Sequence, residues 1–384
     1  MNILPAYREF ISSPAQLAQC RQATSVEQFL QQLKYLWHQE ALTDDQLLCE
    51  LAACNQQIHD VDMAVLGGHW LPYRYQPKNR SIYWCLPLGH ATEPFYDQYI
   101  ERCRGQLLNQ LITPQTALKS LIDGPVTNTP LQPAGFIFHL SRCGSTLVSG
   151  CLAELDNTCV LSESPLLTEL LLDDSLDEKI KQQLLPQFIH LQGITSSDRH
   201  NIITKWNAWD IFFWPLIRSL YPQVPVLFLV RDPVEILASH QRSAGRHMAG
   251  DHSLARLIPA FPTIDAEKHM LDVRIGVLWK LIDKMLRVDE SAVMMVDYSQ
   301  LKSNRIFDVA RFFGLMVTME ECERINRRAE VHSKELHRHF VDDGQRKRQS
   351  FSAAERKKIN NHLYGDYQKL FIRRLKQREA DNAL

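Results

Sequence analysis

Phe136-Ile137-Phe138-His139-Leu140-Ser141-Arg142-Cys143-Gly144-Ser145-Thr146-Leu147-Val148-Ser149 is the stretch on which the fold turns. An apolar run gives way to a short loop with one glycine and two hydroxyls, and then to a second apolar run. That order predicts a buried strand, a tight loop and the start of a helix. The first turn of a helix has N–H groups without intrahelical partners and carries the positive end of the dipole, so the loop suits a phosphate. Gly144 lets the main chain pass close to an anion. Ser145 and Thr146 offer hydroxyls, and Arg142 offers a planar fork of donors. The same residues also fit a plainer role, a serine- and threonine-capped helix after a strand. The GxxxxGK[ST] pattern is absent: no lysine follows Gly144, and His139 stands where that pattern has its first glycine.

Outward from the loop, short apolar runs at 134–140, 158–161, 201–204, 225–230 and 292–296 alternate with helical segments near 146–154, 180–191, 210–220, 234–241 and 266–288. Runs of this length suit parallel strands buried on both faces. The alternation predicts an α/β fold, a doubly wound parallel sheet with a P-loop-like phosphate site. Ligands of such sheets sit beyond the carboxyl ends of the strands. Upstream, 26–39 and 43–57 have helical periodicity behind the capping residues Ser25 and Thr43. A stretch rich in Trp, Tyr and Pro fills 70–87, and 94–111 reads as one helix with Asp97, Glu101 and Arg104 on its polar face. With a linker at 127–133, this predicts an N-terminal, mostly helical domain over 1–130, available for acceptor binding, and a second domain over 131–384.

The chain has 384 residues, 45% hydrophobic and 23% charged, with a formal net charge of −1. Such a balance provides no global field toward nucleic acid or anionic membrane, so an anion site must be built locally. The nine cysteines are odd in number and none lies in a CxxC pair, which argues against zinc and for free thiols. The first residues lack a signal-peptide pattern, and the apolar runs are far shorter than the ~20 residues of a membrane span. A reduced, cytoplasmic protein without a membrane or nucleic-acid partner is expected.

Two elements together resemble the PAPS-dependent sulfotransferase superfamily (PAPS is 3′-phosphoadenosine-5′-phosphosulfate). Its 5′-phosphosulfate loop usually runs Pro-[Lys/Arg]-Ser-Gly-Thr-Thr after a first strand. Here Arg142-Cys143-Gly144-Ser145-Thr146 takes that place, with Ser141 for the proline and Cys143 for the serine. The family's second element is an arginine at a strand end with a serine eight residues on, which bind the 3′-phosphate. Here 226–230 is followed by Arg231-Asp232-Pro233, and Ser239 stands eight residues after Arg231. Asp232-Pro233 is also a natural helix start. The resemblance spans roughly 134–340 and leaves the N-terminal third outside. It implies PAPS as co-substrate, PAP as product and no metal.

Sulfuryl transfer needs a base for the acceptor hydroxyl and positive groups for the charge that develops, with the two substrates held in line. Glu163 follows the run 158–161, on the sheet edge that carries the loop, and Lys205 closes the run 201–204. Both match the branch that includes the tyrosylprotein sulfotransferases, which implies Glu163 as base and Lys205 as a contact to the transferring sulfate. Arg142 would share the work at the bridging oxygen. A cap partner ahead of Pro165 and a solvent-facing lysine are the alternatives. Tyr298 resembles the family's strand-then-Tyr element, or is a packed aromatic. Ser333 and Lys334 correspond to a late loop that closes over the nucleotide, while Arg346, Lys347 and Arg348 fit a solvated face. His337 and His339 lack a third metal ligand at credible spacing. The function expected is transfer of the sulfuryl group from PAPS to a hydroxyl on a small molecule or peptide. The alternatives are an ATP- and Mg²⁺-dependent phosphotransferase using Asp232 and a catalytically silent nucleotide-binding protein.

Overall fold

The computed structural model describes residues 2–194, 200–257, 270–288, 293–301, 303–331 and 344–381. The chain divides into two compact units. One comprises Met1–Gln132 with Glu163–Ile202, the other Pro133–Ser162 with Ile203–Leu384. The expected boundary near 130 falls at Gln132, but 163–202 groups with the N-terminal part instead of the second domain.

The first unit begins with helices, including Val26–Trp37 and Asp44–Asn55. The Ser25 hydroxyl accepts from the Gln28 amide, and Thr43 and Gln46 form a reciprocal capping box, as the sequence signals predict. The unit is less helical than expected. The Trp- and Tyr-rich stretch forms β2 (Leu71–Gln76) and β3 (Ser81–Cys85), which with β1 (Ile58–His59) and β4 (Gln115–Ala117) make a sheet of order β1-β4-β3-β2. The predicted 94–111 helix is two, Tyr96–Arg104 and Leu107–Leu111, parted by Gly105. The helices Pro165–Leu172 and Glu178–Gly193 pack on β2, and Gln192 Nε2 donates to the Pro72 carbonyl at 3.0 Å.

The second unit is the α/β part. Strands β5 (Gly135–His139), β6 (Thr158–Ser162), β7 (Asn201–Lys205), β8 (Val226–Val230) and β9 (Val293–Asp297) form a five-stranded sheet of order β6-β7-β5-β8-β9. The β5–β7, β5–β8 and β8–β9 pairs are all parallel. Residues alternate between two apolar layers, as the two-residue period of a strand requires. Ile137, Leu227, Leu229 and Val296 join Val148, Val309 and Phe313 in one core. Phe136, Phe138 and Phe228 meet Trp206, Trp214 and Tyr221 in another, at ring separations of 5.3–6.0 Å. With both faces covered, β5, β6 and β8 are buried along their whole length, which explains their unbroken apolar sequence. Each such aromatic contributes roughly 1.5–3 kcal/mol on burial. The strand order reverses at β5, so the switch-point crevice of the sheet opens at its carboxyl end.

Candidate anion site at the strand ends

The carboxyl ends of the five strands gather most of the residues singled out in the sequence. β5 runs into the loop 140–144 and then the helix Ser145–Leu152. Ser141, Arg142 and Gly144 hold left-handed φ angles of 67°, 52° and 84°. Cys143, without a positive φ, followed by left-handed Gly144 is the alternation in which successive amides can form a concave nest for an anion. For residues other than glycine the conformation costs about 1–2 kcal/mol each. Five non-glycine residues adopt it among the described residues, and Ser141, Arg142 and Glu163 are three of them. Gly144 is needed twice over, because a Cβ there would also lie 2.4 Å from Leu301 and 3.0 Å from Tyr298.

At the end of β7, Lys205 is fully buried, and its Nζ donates to Thr146 Oγ1 and to Ser162 Oγ, both at 3.2 Å. Ser162 ends β6, so one ammonium ties two strand ends to the first turn of the loop's helix. The solvent-facing alternative for Lys205 is thereby ruled out. Cys143 contributes main chain only: its thiol is buried against the Leu229 carbonyl at 3.1 Å, and burial pushes it up to about 12. The Arg142 guanidinium is 2.5 Å from the Ser243 carbonyl, which accepts from it.

On the other side of β5, Arg231 follows β8. It is buried, donates through Nε to Glu235 Oε2 at 2.7 Å and through Nη1 to the Arg142 carbonyl at 3.1 Å, and stacks its guanidinium 3.7 Å from the centre of the Tyr298 ring. Tyr298, just past β9, thus lies between Arg231 and Gly144. Asp232 Oδ1 caps the following helix, accepting from the amides of Val234 and Glu235 at 2.9 and 3.2 Å. Burial raises the Asp232 carboxyl above its ordinary value. Ser239 sits half-buried one turn beyond Glu235 on the same helix, Pro233–Arg242.

The sequence reading missed Glu235 and misjudged Arg348. The 346–348 run is not simply a solvated face: Arg348 Nη2 is 2.7 Å from Glu235 Oε1, and Lys347 is buried. Two guanidiniums thus share one buried carboxylate, with the Asp232 carboxyl beside them. Glu163 follows Ser162 directly in the chain, is half-buried, has a φ of 55° and belongs to the first unit. Ser333 and Lys334, like His332, His337 and His339, lie outside the described residues.

No family model matches the chain, and no curated protein does. Solved structures similar to it include sulfotransferases. The sulfotransferase domain from the curacin biosynthetic pathway is 14% identical, covering 62% of this chain and 99% of that one, with a TM-score of 0.40. Sulfotransferase STF9 from Mycobacterium avium is 10% identical over 74% of this chain and 86% of its own, also at 0.40. Mouse sulfotransferase SULT7A1 complexed with PAP is 13% identical over 66% and 91%, at 0.37. Among the described residues, no helix is long and apolar enough to cross a membrane.

Proposed function

We propose that the chain is a sulfotransferase that moves the sulfuryl group of PAPS to a hydroxyl acceptor and releases PAP. The observation that carries this reading is Lys205: a fully buried ammonium 3.2 Å from Thr146, in the first turn of the helix that follows the strained loop. A cation held there in low dielectric is worth far more to a developing negative charge than one in water. In this reading the main-chain amides of 144–146 cradle the 5′-phosphosulfate. Lys205, with Arg142, stabilises the charge that collects on the sulfuryl and bridging oxygens. Arg231 and Ser239 take the 3′-phosphate, and Tyr298 backs the arginine from beside Gly144. Glu163 takes the proton of the acceptor hydroxyl as its oxygen bonds to sulfur and PAP departs. Ser333 and Lys334 would complete the nucleotide's cover. The acceptor is a small molecule or a peptide. No metal enters this scheme, and a cytoplasmic setting suits it.

Titration calorimetry with PAP and with ADP tests the donor. PAP should bind at least tenfold more tightly, because the Arg231–Ser239 pair has no partner on a nucleotide lacking the 3′-phosphate. Equal affinities would reject PAPS. Transfer of labelled sulfate from PAPS to a panel of alcohols, phenols, sugars and tyrosyl peptides in the presence of EDTA tests the reaction. Turnover that requires ATP and Mg²⁺ would favour a phosphotransferase instead.

A further inference from the structure

We propose that Tyr367 is a positioning residue of the nucleotide site: from the C-terminal helix it fixes the turn that carries Tyr298, and through Tyr298 the set of Arg231. The proposal rests on the reading of the strand ends as a PAP-binding site. Tyr367 lies in the helix Ala353–Asp381, 70 residues along the chain from the carboxylate it meets. Its hydroxyl donates to Asp297 Oδ2 at 2.6 Å, and both residues are buried. Asp297 ends β9, so this bond ties the C-terminal helix to a strand end beside the anion site.

Each oxygen of the Asp297 carboxylate has its own partner. Oδ2 takes the Tyr367 hydroxyl. Oδ1 accepts from the Ser299 amide at 2.9 Å and from the Ser299 hydroxyl at 2.5 Å. The Asp297 amide donates in turn to Gln300 Oε1 at 3.2 Å, which closes a reciprocal capping box around Tyr298–Gln300. The Leu301 amide donates to the Tyr298 carbonyl at 3.0 Å. Tyr298 and Leu301 are the residues packed against Gly144, and the Tyr298 ring stacks on the Arg231 guanidinium. One turn thus faces both flanks of the site, and one carboxylate holds that turn.

A buried carboxylate keeps its place while its oxygens are satisfied. Without the Tyr367 hydroxyl, Oδ2 loses its donor, and a carboxylate that rotates to replace it draws Oδ1 away from Ser299. The turn then loosens, and Tyr298 with it. The far end of the contact is firmly held. The helix Ala353–Asp381 packs on the helix Met270–Leu286 and on Pro233–Arg242, the helix that begins two residues after Arg231. Trp279 Nε1 donates to Asp366 Oδ2 at 3.0 Å, one residue from Tyr367, and Lys358 pairs with Asp272. Tyr367 is presented from a fixed scaffold, and its effect on the nucleotide passes through Tyr298.

The test is a double-mutant cycle built from Tyr367→Phe and Tyr298→Ala and read by calorimetry with PAP. Phenylalanine keeps the ring and removes the hydroxyl alone. Tyr367→Phe should weaken PAP by about three- to thirtyfold in the wild-type background and have no further effect beside Tyr298→Ala. A purely structural tyrosine would lower the melting temperature equally in both backgrounds and leave PAP affinity alone, which would overturn the proposal. Losses of affinity that add across the two sites would overturn it too. Asp297→Asn, which keeps an oxygen for the turn and gives up the charge, serves in the same cycle if Tyr367→Phe does not fold. Hydrogen exchange of the free protein reads the turn without nucleotide. The Ser299 and Leu301 amides should exchange faster in Tyr367→Phe, while those of Met270–Leu286 stay as in wild type. Unchanged exchange at Ser299 and Leu301 would reject the role of Tyr367, whereas wild-type protein that binds PAP no better than ADP would reject the donor reading instead.

Discussion

The two flanks of β5 meet negative charge by different means. On the loop and β7 side, most of the fixed features are main chain, left-handed residues and a helix start, joined by one lysine side chain held between two hydroxyls. On the β8 side the features are side chains: Arg231 shared among Glu235, a carbonyl and the Tyr298 ring. The first flank is preorganised, since amide geometry does not depend on what is bound. The second is a balanced charge cluster, in which an incoming phosphate must compete with a carboxylate already in place. That division suits a donor whose reacting end needs fixed geometry and whose distal end needs only recognition.

In the proposed scheme both flanks bind negative charge, and neither accepts a proton. If Glu163 supplies that step, Glu163→Gln should lower single-turnover transfer from PAPS by ~10²–10⁴-fold while leaving PAP affinity nearly unchanged. An unaltered rate with a lowered melting temperature would make Glu163 a structural cap instead of the base. On the preorganised flank, Lys205→Met keeps the buried volume and removes the charge. Transfer should fall by ~10²–10³-fold, the cost of losing one transition-state donor. A loss confined to PAP binding would instead place Lys205 on the nucleotide alone.

On the recognition flank, Arg231→Ala should weaken PAP by roughly tenfold to more than a hundredfold, from a charged contact worth ~1.5–3 kcal/mol. ADP affinity should change little, and calorimetry with both nucleotides reads the difference. If both fall equally, the two flanks do not divide the ligand as described. The smallest effect is expected from Gly144→Ala, through the left-handed φ, at about 1–2 kcal/mol of stability. Thermal unfolding measures it, and overlap with Leu301 and Tyr298 can only add to it. A variant as stable as wild type would mean that the loop relaxes freely and is not preorganised.

The contrast also explains what could be read from sequence. The loop flank is encoded locally: an unbroken apolar run, a glycine and two hydroxyls sit within a dozen residues, and their spacing alone predicts the geometry. Arg231 was visible for the same reason, at a strand end ahead of an Asp-Pro helix start. The Glu235–Arg348 pair was not, because its partners come from distant parts of the chain and a basic run has the same composition whether solvated or paired. The strands β2 and β3 were missed because their Tyr and Trp residues carry polar tips that blur the alternation. The helix over 94–111 was drawn too long because Gly105 breaks it without disturbing the apolar spacing. Nor does periodicity tell which unit a helix joins: Glu178–Gly193 is amphipathic in sequence, but only the structure shows that it packs on β2.

That last placement bears on how the chain is made. Synthesis runs from the N-terminus, and the first unit needs residues 163–202 to be complete. At ~5–20 residues per second, those residues finish emerging roughly 4–14 s after Gln132. For the first part of that interval the early helices and the small sheet stand without either helix that packs on β2. In the same interval β5, the anion loop and β6 are synthesised, so the second unit has begun before the first can close. The two units are therefore not beads made one after the other. A ribosome stalled within 133–162 would hold a nascent chain whose β2 lacks the two helices that pack on it.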